Sequence, residues 1–269
     1  TYLNGYSKFF TLLLFVFSIT LVSQLSYGQT KIYTTEATVK SDEVENKNNA
    51  VGNTGNFAIV KSNTGLSVLG VTLGAYDGEL ELKFPSTVPA NRTTFIRIDF
   101  EPDLLNALLG GNLGSVLANT LGGLVLGKHS IEVGARNGAV NGTSGSSTGG
   151  FSTNNVKLVK DAAGLYYVAI TPTAAYDRVY IRDVSSALLL GLGASNSTKV
   201  YGAFHVASLS DCEPAFATDF DGSGLTVSAL NIGKAGVTDM HQAIDNNPAT
   251  ASKLSLGLLG VAGSISQNV

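Results

Sequence analysis

Seven stretches of this chain alternate apolar and polar residues with a period of two: GELELKF (78–84), TFIRIDF (94–100), SIEVGAR (130–136), NVKLVKD (155–161), LYYVAITPT (165–173), DRVYIRDV (177–184) and KVYGAFHVA (199–207). Side chains spaced this way point to opposite sides of a strand, so each stretch carries one face that needs a core and one that does not. The separators are rich in Gly, Asn, Ser and Pro, and NGAVNGTSGSSTGGFSTNN (137–155) reads as a flexible surface loop. Short strands joined by turns, without intervening helices, predict an all-β fold: an antiparallel β-sandwich of jelly-roll character. The 31 glycines, with 6 prolines, suit many tight turns. Only DLLNALLGGNLGSVLANTLGGLVLG (103–127) departs, with leucines at helical spacing before Gly110 and Gly111. It predicts one short helix over 102–109, packed on the core or capping a sheet, because it lacks the basic face of a membrane-surface helix.

Residues 8–28, KFFTLLLFVFSITLVSQLSYG, join Lys8 to an apolar run from Phe9 to Val22, with Ser26 and Gly28 at the positions that precede a cleavage site. That is the pattern of a secretory signal peptide over 1–28, cleaved before Gln29, and the run is shorter than the roughly 20 residues that span a bilayer. The mature chain is therefore expected to be secreted or held at the cell surface, with no transmembrane segment. Cys212, the single cysteine, is too far from that site to anchor a lipid, and alone it forms no disulfide within the chain. Without Lys8 the 17 basic residues become 16 against 20 acidic ones, near −4 and without runs, so nucleic acid is not an expected partner. The start at Thr1 and the stop within SISQNV give the expectation of a window on a longer polypeptide.

An internal repeat organises the rest. At an offset of 193 residues, VENKNNAVGNTGNFA (44–58) lies over VTDMHQAIDNNPATA (237–251): Val44 meets Val237, Ala50 meets Ala243, Val51 meets Ile244 and Asn53 meets Asn246. Each is followed by a Gly/Leu-rich stretch. A period near 190 residues is that of a domain in tandem rather than a solenoid turn. The expected plan is a lead-in at 29–43, a first sandwich repeat at 44–210, a junction at 211–236, and the start of a truncated second copy at 237–269.

The run from 211 to 269 resembles the tandem repeats of large Bacteroidetes surface adhesins. The matching residues are Ala243, Ile244, Asp245, Asn247, Pro248 and Thr250, then Leu254 to Gly257, Val261, Ala262, Ser264 and Gln267. The resemblance implies cargo of the type IX secretion system. In the first copy Gly52 replaces the Asp and Gly55 the Pro. The same core is similar to the opening of discoidin-type, galactose-binding-like jelly rolls, although Asn246 stands where that pattern has Gly. The chain has no tryptophan, so a sugar platform would have to come from Tyr or Phe.

Several motifs invite chemistry. GGLVLGKH (122–129) has the glycines and lysine of a phosphate loop, but His129 occupies the place of the magnesium-binding Ser or Thr and a strand follows. GSSTG (145–149) spells a nucleophile elbow inside a Ser/Gly-rich stretch with no strand and helix to strain the serine. DFDGSG (219–224) opens like a calcium loop but reaches Leu230 where a bidentate Glu should close the shell. Asp219, Asp221 and Asp245 are the calcium candidates. His129, His205 and His241 have no metal-ligand spacing. Asp77, Glu79, Glu81, Asp99, Glu101 and Asp103 crowd two strand regions; a glycosidase could use two of them, yet Glu79 and Glu81 share the face opposite Leu80 and Leu82, as on a solvated sheet.

The expected function is that of a non-enzymatic, secreted cell-surface adhesin fragment. It would bind extracellular glycans or proteins through loops that include 137–155, with no cofactor required beyond calcium at the three aspartates. The alternatives are a carbohydrate-binding module of a larger secreted enzyme and a secreted glycoside hydrolase.

Overall fold

The computed structural model describes residues 30–40, 43–68, 71–99, 129–149, 151, 155–185, 195–207, 215–223, 236–255 and 264–269. The signal segment expected at 1–28, the helix expected at 102–109, Glu101, Asp103, Cys212 and most of the phosphate-loop-like motif lie outside these residues. The structure divides into two compact units, Thr1–Thr30 with Ala207–Glu213, and Lys31–Val206 with Pro214–Val269. All the described sheets belong to the second.

In chain order the strands are β1 (Lys31–Tyr33), β2 (Glu36–Val39), β3 (Val44–Glu45), β4 (Ala58–Asn63), β5 (Leu66–Val68), β6 (Val71–Leu73), β7 (Tyr76–Asp77), β8 (Glu79–Val88), β9 (Thr94–Asp99) and β10 (His129–Asn137). They continue as β11 (Val140–Ser146), β12 (Val156–Asp161), β13 (Tyr166–Ile170), β14 (Tyr176–Ser185), β15 (Ser195–Val206), β16 (Ala217–Ser223), β17 (Gly236–Thr238), β18 (Lys253–Ser255) and β19 (Ser264–Asn268). Three short 3-10 turns interrupt them: η1 (Lys47–Ala50), η2 (Ser147–Gly149) and η3 (Met240–Ala243). Among the described residues no helix is long and apolar enough to cross a membrane.

Two antiparallel sheets form the body. The larger runs β19-β16-β12-β13-β9-β15-β4-β3, with β1 on β15 and β7 on β4; the smaller runs β11-β10-β14-β8-β2. The chain passes from one sheet to the other repeatedly, as a jelly roll does. The period-two faces explain the core. Leu80, Leu82 and Phe84 of β8, Ile131 and Val133 of β10, and Val179 and Ile181 of β14 meet Val60, Ile96, Ile98, Val168, Ile170 and Val200 of the larger sheet, all at 2% exposure or less. Each such side chain contributes roughly 1.5–3 kcal/mol of burial, and the all-β sandwich follows from these faces meeting.

A polar node also joins the layers. The Asp183 carboxylate on β14 is fully buried, lies 2.7 Å from Nε2 of His129 on β10, and accepts hydrogen bonds from Ser62 Oγ of β4 and Thr198 Oγ1 of β15 at 2.5 and 2.6 Å. A buried carboxylate is tolerable only when its lone pairs are used in this way.

Three segments differ from the sequence expectation. The stretch expected as the 137–155 surface loop supplies the end of β10, all of β11 and η2, because glycine permits a close approach that larger residues would block: a Cβ at Gly145 would lie 2.8 Å from Val156. The lead-in at 29–43 supplies β1, paired with β15, and β2, paired with β8. The junction at 211–236 contains β16, which pairs with β12 and β19.

Candidate functional site

At one rim of the sandwich, the turn between β10 and β11 and the loop between β13 and β14 enclose an open groove of about 320 Å³. Local sequence dictates both walls. Asn137 and Val140 are paired across a tight turn in which Gly138 takes φ +58°, a conformation glycine adopts freely. The Gly138 N–H donates to Asp177 Oδ1 at 2.9 Å, tying the turn to the start of β14. On the other wall Pro172 follows the end of β13, and its carbonyl accepts the Asn91 N–H at 2.7 Å. Thr173 N–H donates to Thr143 Oγ1 at 3.3 Å, linking the walls.

The floor is small and apolar, with Ala135, Ala174 and Ala175, while Arg136, Asn137, Asn141, Thr143 and Thr173 supply hydrogen-bonding groups. Val140 stands 71% exposed at the lip. Arg136 is rigidly placed. Its Nη1 donates to Glu79 Oε1 and Glu81 Oε2 at 2.5 and 3.0 Å, its Nε donates to Asn141 Oδ1 at 2.8 Å, and its guanidinium carbon lies 3.9 Å from the centre of the Tyr180 ring. Partial burial pulls the Arg136 pKa down, but the bonds to Glu79 and Glu81 outweigh that and leave it raised. Next to it, Arg178 binds Asp177 through two nitrogens and holds that carboxyl at about 2. Tyr176 lies deepest, its hydroxyl shared with Thr94 Oγ1 and the Arg92 carbonyl, and burial pushes its pKa up to about 12. Arg136 is the one charged side chain among the lining residues, which include no Asp, Glu, His or Cys. The groove offers hydrogen-bonding groups around a small apolar surface.

Among the described residues, the carboxylates noted in the sequence are already partnered. Asp77 pairs with Arg182 at 2.8 Å and Asp99 with Lys199 at 3.5 Å. Leu80 and Leu82 face the core as expected, with Glu79 and Glu81 on the other side, but that side is not simply solvated: Glu81 is only 3% exposed, covered by Arg136 and Arg178. The alternating DRVYIRDV already places Arg178, Tyr180 and Arg182 on one face, the signal that could have found this ladder. In the nucleophile-elbow motif, Ser147 Oγ accepts the Ile131 N–H at 2.9 Å, so this serine caps a strand.

Two of the calcium candidates, Asp219 and Asp245, are separately employed. Asp219 meets Lys157 Nζ at 3.2 Å and Asn268 Nδ2 at 2.6 Å. Asp221 lies on β16 opposite Ser266. Asp245 follows η3, accepting the Asn247 N–H at 2.9 Å and the Thr250 hydroxyl at 2.8 Å. Among the described residues no three of His, Cys, Asp or Glu are grouped as metal ligands. The histidines are equally dispersed: His129 sits at the Asp183 node, His205 packs edge-on against Phe84, and the Nδ1 of His241 is buried without a hydrogen-bond partner.

No family model, no curated protein and no solved structure matches the chain.

Proposed function

We propose that the chain is a secreted, non-catalytic surface-binding domain of an adhesin-type array, and that its rim groove takes hydroxyl-rich glycan ends. The observation that carries this reading is the groove itself: a shallow apolar floor ringed by Asn, Thr and one immobilised Arg, the donor and acceptor set that a polyhydroxylated ligand needs. Preorganisation supports it, because Arg136 and Asn141 hold each other in place before any ligand arrives and little ordering remains on binding. The groove is open and small, which suits weak single-site binding multiplied over tandem copies.

A glycan array probed with the full chain and with Asn141→Ala tests the proposal. Asn141 is exposed, so its loss should leave the thermal transition in place while reducing glycan signal about tenfold, the equivalent of one hydrogen bond to a charged or well-ordered partner. Equal signal from both proteins, or no glycan bound by either, overturns it. Sharp selectivity for one soluble polysaccharide would instead support a carbohydrate-binding module serving an enzyme.

A further inference from the structure

β12, β16 and β19 lie side by side in the larger sheet. Asn268 stands directly opposite Asp219 in the β16–β19 ladder, and the pairs Lys160↔Thr218 and Asp161↔Ala217 put Lys157 on the diagonal from Asp219 on the same face. A long side chain spans that diagonal. The result is one carboxylate holding two different nitrogens: Lys157 Nζ is 3.2 Å from Oδ2, and Asn268 Nδ2 is 2.6 Å from Oδ1. The Asp219 side chain is 12% exposed. Thr218 Oγ1 donates to the Asn268 carbonyl at 2.6 Å, and Gln267 Nε2 donates to Thr218 Oγ1 at 2.9 Å, which fixes the strand that carries the asparagine. Among the described residues three other lysines pair with carboxylates, Lys61 with Glu45, Lys83 with Glu36 and Lys199 with Asp99, and none of those carboxylates receives an asparagine amide.

We propose that Lys157 and Asn268 are the two halves of an intramolecular amide crosslink and that Asp219 moves the protons. The Lys157 ammonium gives a proton to the Asp219 carboxylate, and the free amine attacks Cγ of Asn268. Asp219 passes that proton to the departing Nδ2 and takes the second from the attacking nitrogen. The Cγ–Nδ2 bond breaks, the Nζ–Cγ bond forms, ammonia leaves and carries away the remaining proton as ammonium, and Asp219 returns to a carboxylate. Nothing is oxidised or reduced and no co-reactant is needed. Holding both groups on one carboxylate supplies the proximity, and that carboxyl, 12% exposed beside a Lys157 side chain that is 49% exposed, supplies general acid–base catalysis. The bond would pin the edge strand β19 to β12 across β16, closing the sheet edge against being peeled away under load.

Intact-mass measurement of the full chain, followed by protease mapping, decides the matter. The wild-type chain should be lighter than its sequence by one ammonia and yield a branched peptide joining the segments around Lys157 and Asn268. In Lys157→Arg and in Asp219→Ala the branched peptide should disappear, with circular dichroism confirming that each variant remains β-rich. Cyclisation of an N-terminal Gln29 also loses ammonia, but it gives no branched peptide and persists in Lys157→Arg. A wild-type protein without the branched peptide after prolonged incubation overturns the proposal. So does a branched peptide that survives Lys157→Arg.

Discussion

The stretches aligned at an offset of 193 residues open with the same turn in two different settings and part at its end, where Val51 is extended with ψ 134° and Ile244 has ψ 11°. After β3, Asn46 takes φ 53° and ψ 37° and opens η1; after β17, Asp239 takes φ 51° and ψ 38° and opens η3. The hydrogen bonds correspond as well: Asn49 N–H to the Asn46 carbonyl and Gln242 N–H to that of Asp239, then Val51 to Asn48 and Ile244 to His241. Both segments return as an antiparallel strand, β4 on β3 and β18 on β17, with the register displaced by one residue between them. What differs is the side that is buried. The first hairpin buries Ala50 completely and seats β4 between β15 and β3 of the larger sheet, whereas in the second Ala243 is exposed and Met240 and Ile244 are the buried residues. Local sequence writes the turn; which face meets a partner is written elsewhere, in β15 for the first hairpin.

The partner of the first hairpin is the bulge at Gly202, where β15 slips by one residue against β9. Gly202 has φ +134°, and a Cβ there would come within 3.1 Å of the carbonyl oxygens of both Ala50 and Gly52. Gly202→Val combines backbone strain with overpacking against main chain, so the chain should lose about 4 kcal/mol, read as a lower denaturant midpoint with an unchanged slope. A midpoint within error of the wild type would mean that Ala50 does not need this seat, and the contrast between the hairpins would collapse.

The second hairpin should respond differently. Met240 is 2% exposed and joins the same core, and Gln267 Nε2 donates to its carbonyl at 2.8 Å. Met240→Ala leaves a cavity beneath a two-stranded hairpin and should cost about 2 kcal/mol. The loss should appear first as faster amide exchange at Gln242 and Ile244, with β4 still protected, because a satellite element opens without the body. Exchange that accelerates equally in both hairpins would show that they are one cooperative unit.

These contrasts also mark what the sequence could carry. The period-two faces were legible because they are local: Leu80 and Leu82 inward, Glu79 and Glu81 outward. Composition misled at 140–146, where Gly, Ser and Thr signal a loop but are the small residues that let β11 lie against β10 beside Val156. The burial of Glu81 was hidden because its cover comes from Arg136 and Arg178, which register brings from β10 and β14. The groove is half visible in the sequence, since the glycine-rich stretch 137–155 forms one wall, but its second wall lies at 172–175 and no local pattern joins the two. The pairing of Asp219 with Asn268 likewise depends on β16 and β19 meeting from opposite ends of a stretch whose spacing says nothing of contact.

The smallest effect separates the hairpins by chemistry. Asp245 stands where the first hairpin has Gly52. Its pKa is lowered from the ordinary value, first by the Asn247 N–H and then by the Thr250 hydroxyl, both of which bind the ionised carboxylate. A depressed folded pKa means that the folded hairpin favours the charged form. The stabilisation is therefore complete above the unfolded carboxyl's pKa of about 3.9 and fades as pH falls through the lower folded value. Asp245 is half-exposed, so water and salt screen the effect and it remains local. Following the Asn247 and Thr250 amide signals by NMR from neutral to strongly acidic pH should show a transition below the usual carboxylate range, absent in Asp245→Asn. The signals of Thr54 and Asn56, held in the first hairpin by a threonine hydroxyl that does not titrate, should stay still through that window. Movement of both sets together would place the titrating group in the shared body and not in the second hairpin.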